Sequence, residues 1–589
     1  MAAVEDVVES DEFIPKPCYR VVLDDVNGQA MDVSVDLDLG PIVVPETYDQ
    51  AKNSRQHELW KVSMDKEITD LLKHETWEAV DRSSVPSGRK VTKSRWCYTI
   101  KYNRDGTVER YKSRFVACGY SQIQGQDFTH SFSATLRAAS FRILLALAAG
   151  KRLKLEHFDI TSAFTQADID AEIYVEPPKG YVTHGEDGKP QVLKLKKALY
   201  GTRQASRMWQ YALRDRLIQL GFKQCTSDPC LFSLKNSTGT CLVGCYVDDI
   251  VVAHSGKAML DWFNSKFLAS SANPNGFRGK HLGPLHWFLG IAVDQHGDFA
   301  TSAHQTKYVE KMLDKFFPSH ENNGISHAYP CNPATFLALK AAANDDERDA
   351  AAKLPYMQLI GSLLYISCMT RPDISYYMSI LCKFMSDPSP KCYDAAIGLL
   401  LYLGHTKAKG IHFDGSTDAM PGLRDKDISS LITSNMGFQT YSDASWHKPN
   451  EVGFNSFGYV VYLYGGPVSF ASKSLKVVAL SSAEAEYAAA SYTCKDIEFV
   501  RNVLNDLGFP VTGRAALAVD NKAAVHIVEN QGVTGRTKHF EDSLHYIRHL
   551  YNMQRLGVKH VTTDLQRADG FTKPLDKAKF LPWADCVVK

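Results

Sequence analysis

A chain of 589 residues, 44% hydrophobic, 23% charged and 11% aromatic, has apolar mass for about three to five domains and too many aromatic residues for global disorder. Its net charge of +1 conceals an acidic stretch, residues 1–48 at −9, against +10 for the rest, with clusters of +7 over both 89–114 and 189–216. Such clusters suit a polyanionic partner or a merely solvated face. Apolar runs fall short of the roughly 18–20 residues of a membrane span, and Met1-Ala-Ala-Val-Glu-Asp does not read as a secretory leader. The thirteen cysteines lack a CxxC pair, and Cys225/Cys230 and Cys241/Cys245 have the wrong spacing for zinc. The expectation is an intracellular, unsecreted protein with reduced, mostly buried thiols and no membrane partner.

Residues 1–48 read as a flexible acidic lead-in, and globular text begins near Pro45. Between Glu58 and Leu72, the spacing of Leu59, Trp60, Val62, Met64, Ile68, Leu71 and Leu72 predicts an amphipathic helix. Trp96, Tyr98, Ile100 and Tyr102 alternate as a strand, Asn103–Gly106 supplies turn chemistry, and Thr107–Cys118 returns. On the returning strand Arg110, Lys112 and Arg114 are two apart, so they share one face. An apolar helix over Phe141–Ala149 precedes a short strand, Leu153–Ile160, that carries Asp159 near its end. Cys241–Ala253 reads as two buried strands around Asp248 and Asp249, a hairpin with carboxylates at its tip. Residues 280–430 are mainly helical text. The remainder alternates strands and helices: Gln439–Asp443, Phe457–Tyr464, Val468–Ser472, a helix Ala483–Leu507 closed by Gly508, then Ala516–Val519 and a helix start at Asp520/Asn521. That order predicts a separate α/β domain.

Two sets of acids carry the chemical reading. Asp248 and Asp249 follow Asp159 by 89 and 90 residues, and acids embedded in apolar strands call for a cation because a buried lone charge is costly. Oxygen ligands of this type suit magnesium, which retains waters and shares phosphate oxygens. An Asp-Asp pair in a turn is otherwise only a solvated tip. Further on, Asp443, Glu484, Asp520 and Asp569 are separated by 41, 36 and 49 residues, each at a strand end or helix start. Ser481-x-x-Glu484 is also a capping-box pattern, and Asp520 could serve as an N-cap. Glu486 competes with Glu484; Glu484 is preferred because it comes first on the helix.

Tyr246-Val-Asp-Asp249 between apolar strands resembles the YxDD box of reverse transcriptases. Several blocks resemble the copia-type (Pseudoviridae) retrotransposon Pol polyprotein: Glu109-Arg-Tyr-Lys-Ser-Arg-Phe-Val-Ala117, Phe158-Asp-Ile-Thr-Ser-Ala-Phe164, Glu172-Ile-Tyr-Val175, Ala198-Leu-Tyr-Gly-Thr-Arg-Gln-Ala205 and Ser227-Asp-Pro-Cys230. Phe288-Leu-Gly-Ile291, Gly361-Ser-Leu-Leu-Tyr365 and Thr370-Arg-Pro-Asp-Ile374 continue the likeness, which runs over about residues 45–585 in family order.

The resemblance implies an α+β right-hand polymerase, its palm built on an antiparallel sheet, followed by an α/β ribonuclease H-like domain. Fingers and palm would occupy 49–275, a mostly helical thumb and connection 276–435, and the nuclease 436–589. It implies that Asp159, Asp248 and Asp249 hold a pair of magnesium ions, with manganese as a substitute, for phosphoryl transfer. Phe164 would exclude a 2′-hydroxyl, and Lys112 and Arg114 would clamp the triphosphate. Tyr246 would belong to the substrate site. Tyr200, Gly201, Arg203 and Gln204 would line the nucleotide and template side, Gly201 permitting close backbone approach. Asp443, Glu484, Asp520 and Asp569 would hold the metal pair that cleaves RNA, with His539 assisting product release. The implied partners are an RNA template, a DNA primer and product, an RNA–DNA hybrid, deoxynucleoside triphosphates, and other Pol or Gag products of the element. The implied locations are the cytoplasm, in a virus-like particle, and the nucleus. Cys118, Ser206 and Glu541-Asp-Ser depart from the family pattern without removing a metal ligand. A decayed or domesticated copy that binds nucleic acid without catalysis is the rival reading, and a nuclease with a degenerate polymerase half is the third.

Overall fold

The computed structural model describes residues 21–24, 30–33, 43–102, 107–181, 184–185, 188–318, 327–418, 436–446, 455–475, 477, 479–530 and 545–589. The turn Asn103–Gly106, His539, Glu541–Ser543 and most of 1–48 lie outside them. The chain divides into two compact units, one of Met1–Ala134 with Ile160–Arg216, the other of Thr135–Asp159 with Leu217–Lys589.

In the first unit the predicted helix is His57–Lys73, ending before Glu75 enters the left-handed region at φ 49°. Its buried face of Leu59, Trp60, Met64 and Leu71 packs in one core with residues of the hairpin Ser94–Tyr102 and Val108–Ala117. Trp60 sits edge-on to Tyr98 and Tyr111, with ring centroids 5.1 and 4.6 Å away, a favoured quadrupole geometry. Along Val108–Ala117, Tyr111, Ser113 and Phe115 are buried while Lys112 and Arg114 between them are half-buried, the period-2 alternation expected of a strand covered on one face. A four-stranded sheet in the order Trp77–Asp81, Gln191–Leu195, Tyr174–Val175, Val91–Thr92 and a two-stranded one of Val21–Asp24 with Ala30–Val33 belong to the same unit.

The second unit opens with Ala138–Gly150, whose Phe141–Ala149 stretch is buried throughout and, Arg142 aside, apolar on all sides, as a buried helix is. A six-stranded sheet follows in the order Lys223–Gln224, Leu231–Asn236, Gly239–Tyr246, Asp249–His254, Lys154–Ile160, Gly279–Pro284. Residues 276–435, expected to be mostly helical, also contribute Gly279–Pro284 and the four-stranded sheet Trp287–Phe288, Ile291–Gln295, Thr301–His304, Ile411–Phe413. These strands are two to six residues long and carry few β-branched residues, so their pairing partners rather than local propensity define them.

The C-terminal part is a mixed five-stranded sheet in the order Gly466–Ser474, Ser456–Leu463, Gln439–Ser445, Ala515–Val519, Leu556–His560. The first three strands are antiparallel and the last two run parallel. Helix Ser482–Asp506 packs against the sheet and closes through Leu507 and Gly508, the latter at φ 83° where only glycine is unstrained. One buried cluster extends from Val309 on helix Thr306–Phe316 through Tyr441 on the central strand to Val587. Two polar ties cross this unit. The buried guanidinium of Arg142 donates from Nε to the Val468 carbonyl at 2.8 Å and from Nη1 to the Met369 carbonyl at 3.1 Å, and lies 4.3 Å from the Phe470 ring centre. At the last residue of the long helix, the Asp506 carboxylate accepts the backbone N–H groups of Thr226 and Ser227 at 2.8 and 3.2 Å. No described helix is long and apolar enough to cross a membrane, and no disulfide joins the described cysteines.

Candidate active sites

The hairpin Gly239–Tyr246 to Asp249–His254 pairs Tyr246 with Asp249 and leaves Val247 and Asp248 as a two-residue turn. Val247 occupies φ 55°, a region that β-branched residues avoid, and strain of this kind is held only where surrounding structure over-determines it. The flanking residues do so: Leu242, Val243 and Ile250–Ala253 are fully buried. On its other edge Asp249–His254 pairs with Lys154–Ile160 so that Asp249 lies opposite Asp159. Residues distant in sequence thus reach one end of one sheet, Asp248 exposed and the other two half-buried.

His157, which sequence reasoning did not single out, hydrogen-bonds Asp249 Oδ1 through Nε2 at 3.1 Å. Being two residues from Asp159 it shares that strand face, the only sequence signal that could have found it. Behind it, Glu156 accepts from His281 at 2.8 Å. Burial alone would raise the Glu156 carboxyl, but the His254 imidazole 3.6 Å away and the bond from His281 outweigh it and hold it below the ordinary range. Asp159, Asp248 and Asp249 do not draw their oxygens into a cluster tight enough for one ion, whereas among the described residues the acids of the C-terminal sheet do.

There Asp443, Glu486 and Asp520 place one oxygen each within 4.8 Å of one another. Asp443 comes from the central strand, Glu486 from the second turn of Ser482–Asp506, and Asp520 from the residue after Ala515–Val519. At Glu484, the glutamate preferred from the sequence, the bonds are those of a helix start. Its backbone N–H donates to Ser481 Oγ at 3.3 Å and its carboxylate accepts from the Leu480 N–H at 2.7 Å, so it caps the helix. Glu486, two positions on, turns to the acids instead. Asp520 is not the N-cap of the next helix either; Asn521 fills that role, accepting from Ala523 and Ala524. Asp569 stands outside the triplet, ion-paired with Lys573 Nζ at 2.9 Å.

Burial, with the Asp569 and Asp520 carboxylates, pushes the Asp443 carboxyl up to about 7 while Lys573 opposes the rise. Burial and the charges of Asp443 and Asp520 push Glu486 further still. Thr572 Oγ1 donates to Asp443, and Thr563 Oγ1 donates to Asp520 at 3.2 Å. Glu486 Oε2 is buried without a hydrogen-bond partner. An unpartnered carboxylate oxygen beside the Asp443 and Asp520 carboxylates fits a hard divalent cation, which takes oxygen ligands.

In the first unit, Phe164, Tyr200 and Arg114 form a row. The Phe164 and Tyr200 ring centres are 5.0 Å apart, and the Arg114 guanidinium carbon lies 5.2 Å from the Tyr200 ring centre. Lys112 is on the same strand face as Arg114. Gly201, at φ 83°, allows a close approach to the strand end rather than to a ligand: a Cβ there would sit 2.2 Å from the Ala117 carbonyl oxygen. Arg203 is exposed and donates from Nε to the Gly119 carbonyl at 3.1 Å. Gln204, expected on the nucleotide and template side, turns inward. It is fully buried, with Nε2 donating to the Asp127 carbonyl at 2.8 Å and Oε1 accepting from Gln122 at 3.2 Å, so its amide is used inside the protein.

Residues 74–329 match the family described as reverse transcriptase (RNA-dependent DNA polymerase). The chain is 32% identical over 90% of its length to the Retrovirus-related Pol polyprotein from transposon RE1 of Arabidopsis thaliana, covering 33% of that protein. It is 29% identical over 91% of its length to the corresponding polyprotein from transposon TNT 1-94 of Nicotiana tabacum, covering 38% of it. The chain therefore spans about a third of the length of these curated relatives. A solved foamy viral protease-reverse transcriptase is similar at a TM-score of 0.44 and 12% identity, over 85% of this chain and 70% of that one. The chain thus carries a reverse transcriptase match over residues 74–329 and is similar over most of its length to copia-type retrotransposon Pol polyproteins.

Proposed function

We propose that the chain is an RNA-directed DNA polymerase joined to a ribonuclease H, copying a retrotransposon RNA into DNA and degrading the RNA strand of the hybrid. The observation that carries this is the pairing of Asp159 with Asp249 beside the Tyr246–Asp249 turn, inside the reverse transcriptase match. Asp159, Asp248 and Asp249 would hold one magnesium pair, and Asp443, Glu486, Asp520 and Asp569 the other. Such ions lower the pKa of an attacking hydroxyl or water and offset charge on the leaving oxygen, and manganese can substitute.

The protein's own groups position the reactants. Tyr246 and the strained turn fix where the acidic tip stands. Lys112 and Arg114 bind triphosphate oxygens, Arg114 through paired N–H bonds and Lys112 as a point charge. Tyr200 and Phe164 offer a ring surface to the sugar, against which a 2′-hydroxyl would clash. Gly201, Arg203 and Gln204 shape the segment that carries Tyr200. In the nuclease, Thr572 and Thr563 orient Asp443 and Asp520, and Lys573 tempers the repulsion among the acids. The right-hand division into fingers, palm, thumb and a ribonuclease H-like domain, the nucleic-acid partners, association with other Pol or Gag products, and a cytoplasmic particle or nuclear setting belong to the same proposal.

A specific observation favours a second reading, a nuclease with an inactive polymerase half: the nuclease acids converge around one point and the polymerase acids do not. Primer extension on poly(rA)/oligo(dT) and hydrolysis of a labelled RNA–DNA hybrid separate the two. Asp248→Asn should abolish synthesis and spare hydrolysis, with Asp443→Asn doing the reverse. Wild-type protein that hydrolyses the hybrid but incorporates no nucleotide supports the second reading.

A further inference from the structure

Glu67 lies in the middle of helix His57–Lys73 and is 5% exposed, an unusual place for a carboxylate. It accepts Arg114 Nη1 at 2.8 Å through one oxygen and the Phe115 backbone N–H at 3.3 Å through the other. It is therefore anchored both to the strand Val108–Ala117 and to one side chain on that strand. A second helix residue binds the same strand, Ser63 Oγ accepting from the Ser113 N–H at 2.7 Å. The register of helix on strand is thus set on both sides of Arg114.

The Arg114 guanidinium is held at one end by the carboxylate and lies beside the Tyr200 ring, with 30% of its side chain still exposed. Guanidinium has five N–H donors in a rigid fork, and Glu67 engages one nitrogen. The rest of the fork stays available to a ligand, and its rotamer freedom is lost before any ligand arrives.

We propose that Glu67 is a positioning residue for nucleotide binding: it fixes the Arg114 fork beside Tyr200 so that the fork meets triphosphate oxygens pre-oriented. This rests on the reading of Arg114 as a phosphate-binding residue. A purely structural ion pair would hold helix to strand and leave nucleotide affinity alone.

The test is a double-mutant cycle on the full chain with primer-template and magnesium, reading KM for a deoxynucleoside triphosphate, kcat, and thermal unfolding. Arg114→Ala tests the underlying reading and should raise KM about tenfold or more. Glu67→Gln should raise KM by about threefold to tenfold with kcat within about twofold of wild type, and should add nothing to KM in the Arg114→Ala background. If Arg114→Ala leaves KM unchanged, the phosphate-binding reading fails and the proposal goes with it. If Arg114→Ala raises KM while Glu67→Gln alters only the unfolding temperature, Glu67 is structural and the proposal alone is overturned. Should Glu67→Gln not fold, Glu67→Asp decides on the same readout: its shorter carboxylate cannot span both partners, so an unchanged KM again overturns the proposal.

Discussion

Glu484 and Glu486 differ by two positions on one helix and do different work. Successive residues are rotated by about 100° around an α-helix, so two positions separate side chains by more than half a turn. Glu486→Gln should abolish hybrid hydrolysis, whereas Glu484→Ala should retain most of it and lose about 1 kcal/mol of helix stability through the lost cap. Hydrolysis assays beside thermal melts of both variants check this. The raised carboxyls also set a pH dependence for metal-free protein. Below the ordinary carboxylate range folded and unfolded chains both carry the protons, so there is no penalty. As pH rises towards about 7, the unfolded chain releases protons that Asp443 and Glu486 retain, and stability falls. Melting temperatures in chelator should therefore decline between about pH 5 and pH 8, less steeply in Glu486→Gln. A flat profile in wild-type protein would contradict the buried, mutually repelling arrangement.

At the level of elements, strongly patterned segments were legible. The amphipathic stretch beginning at Glu58 is the helix His57–Lys73, and Cys241–Ala253 is a hairpin with Asp248 in its turn. Both have apolar spacing that admits one period only. The short strands of 287–413 were not legible, because two to five residues bear no period and their partners lie far along the chain. The acids were conspicuous as Asp residues in or beside apolar strands. Their supporting groups were not: His157, Lys573 and Thr572 are ordinary polar residues until a fold brings them to a carboxylate. The choice of glutamate illustrates the same limit, since Ser481 and Glu484 display a local capping pattern while the pull of Asp443 on Glu486 is entirely tertiary.

Across the second unit as a whole, the core is continuous from helix Thr306–Phe316 to the C-terminal sheet, and Arg142 joins helix Ala138–Gly150 to that sheet by hydrogen bonds to carbonyls. Burial pulls the Arg142 guanidinium down to about 10, still leaving it charged at neutral pH. Arg142→Met keeps the stem's packing but strands the carbonyls of Val468 and Met369, each a loss of about 1–3 kcal/mol. The apparent melting temperature should drop by about 5 °C or more. Because the tie joins helix Ala138–Gly150 to the C-terminal sheet within this unit, the two proposed activities should decay together on heating, which parallel inactivation assays would read.

The long helix carries a further consequence. Glu486 near its start belongs to the acid triplet, and Asp506 at its end grips the loop at Thr226 and Ser227. With both ends committed, one inserted or deleted residue between them would swing either end by about 100° and detach it. Point changes on the solvent side would pass unnoticed. This segment should therefore tolerate spelling errors but not frame-preserving changes of length, and related chains that keep the two proposed activities should all have the same count of residues there.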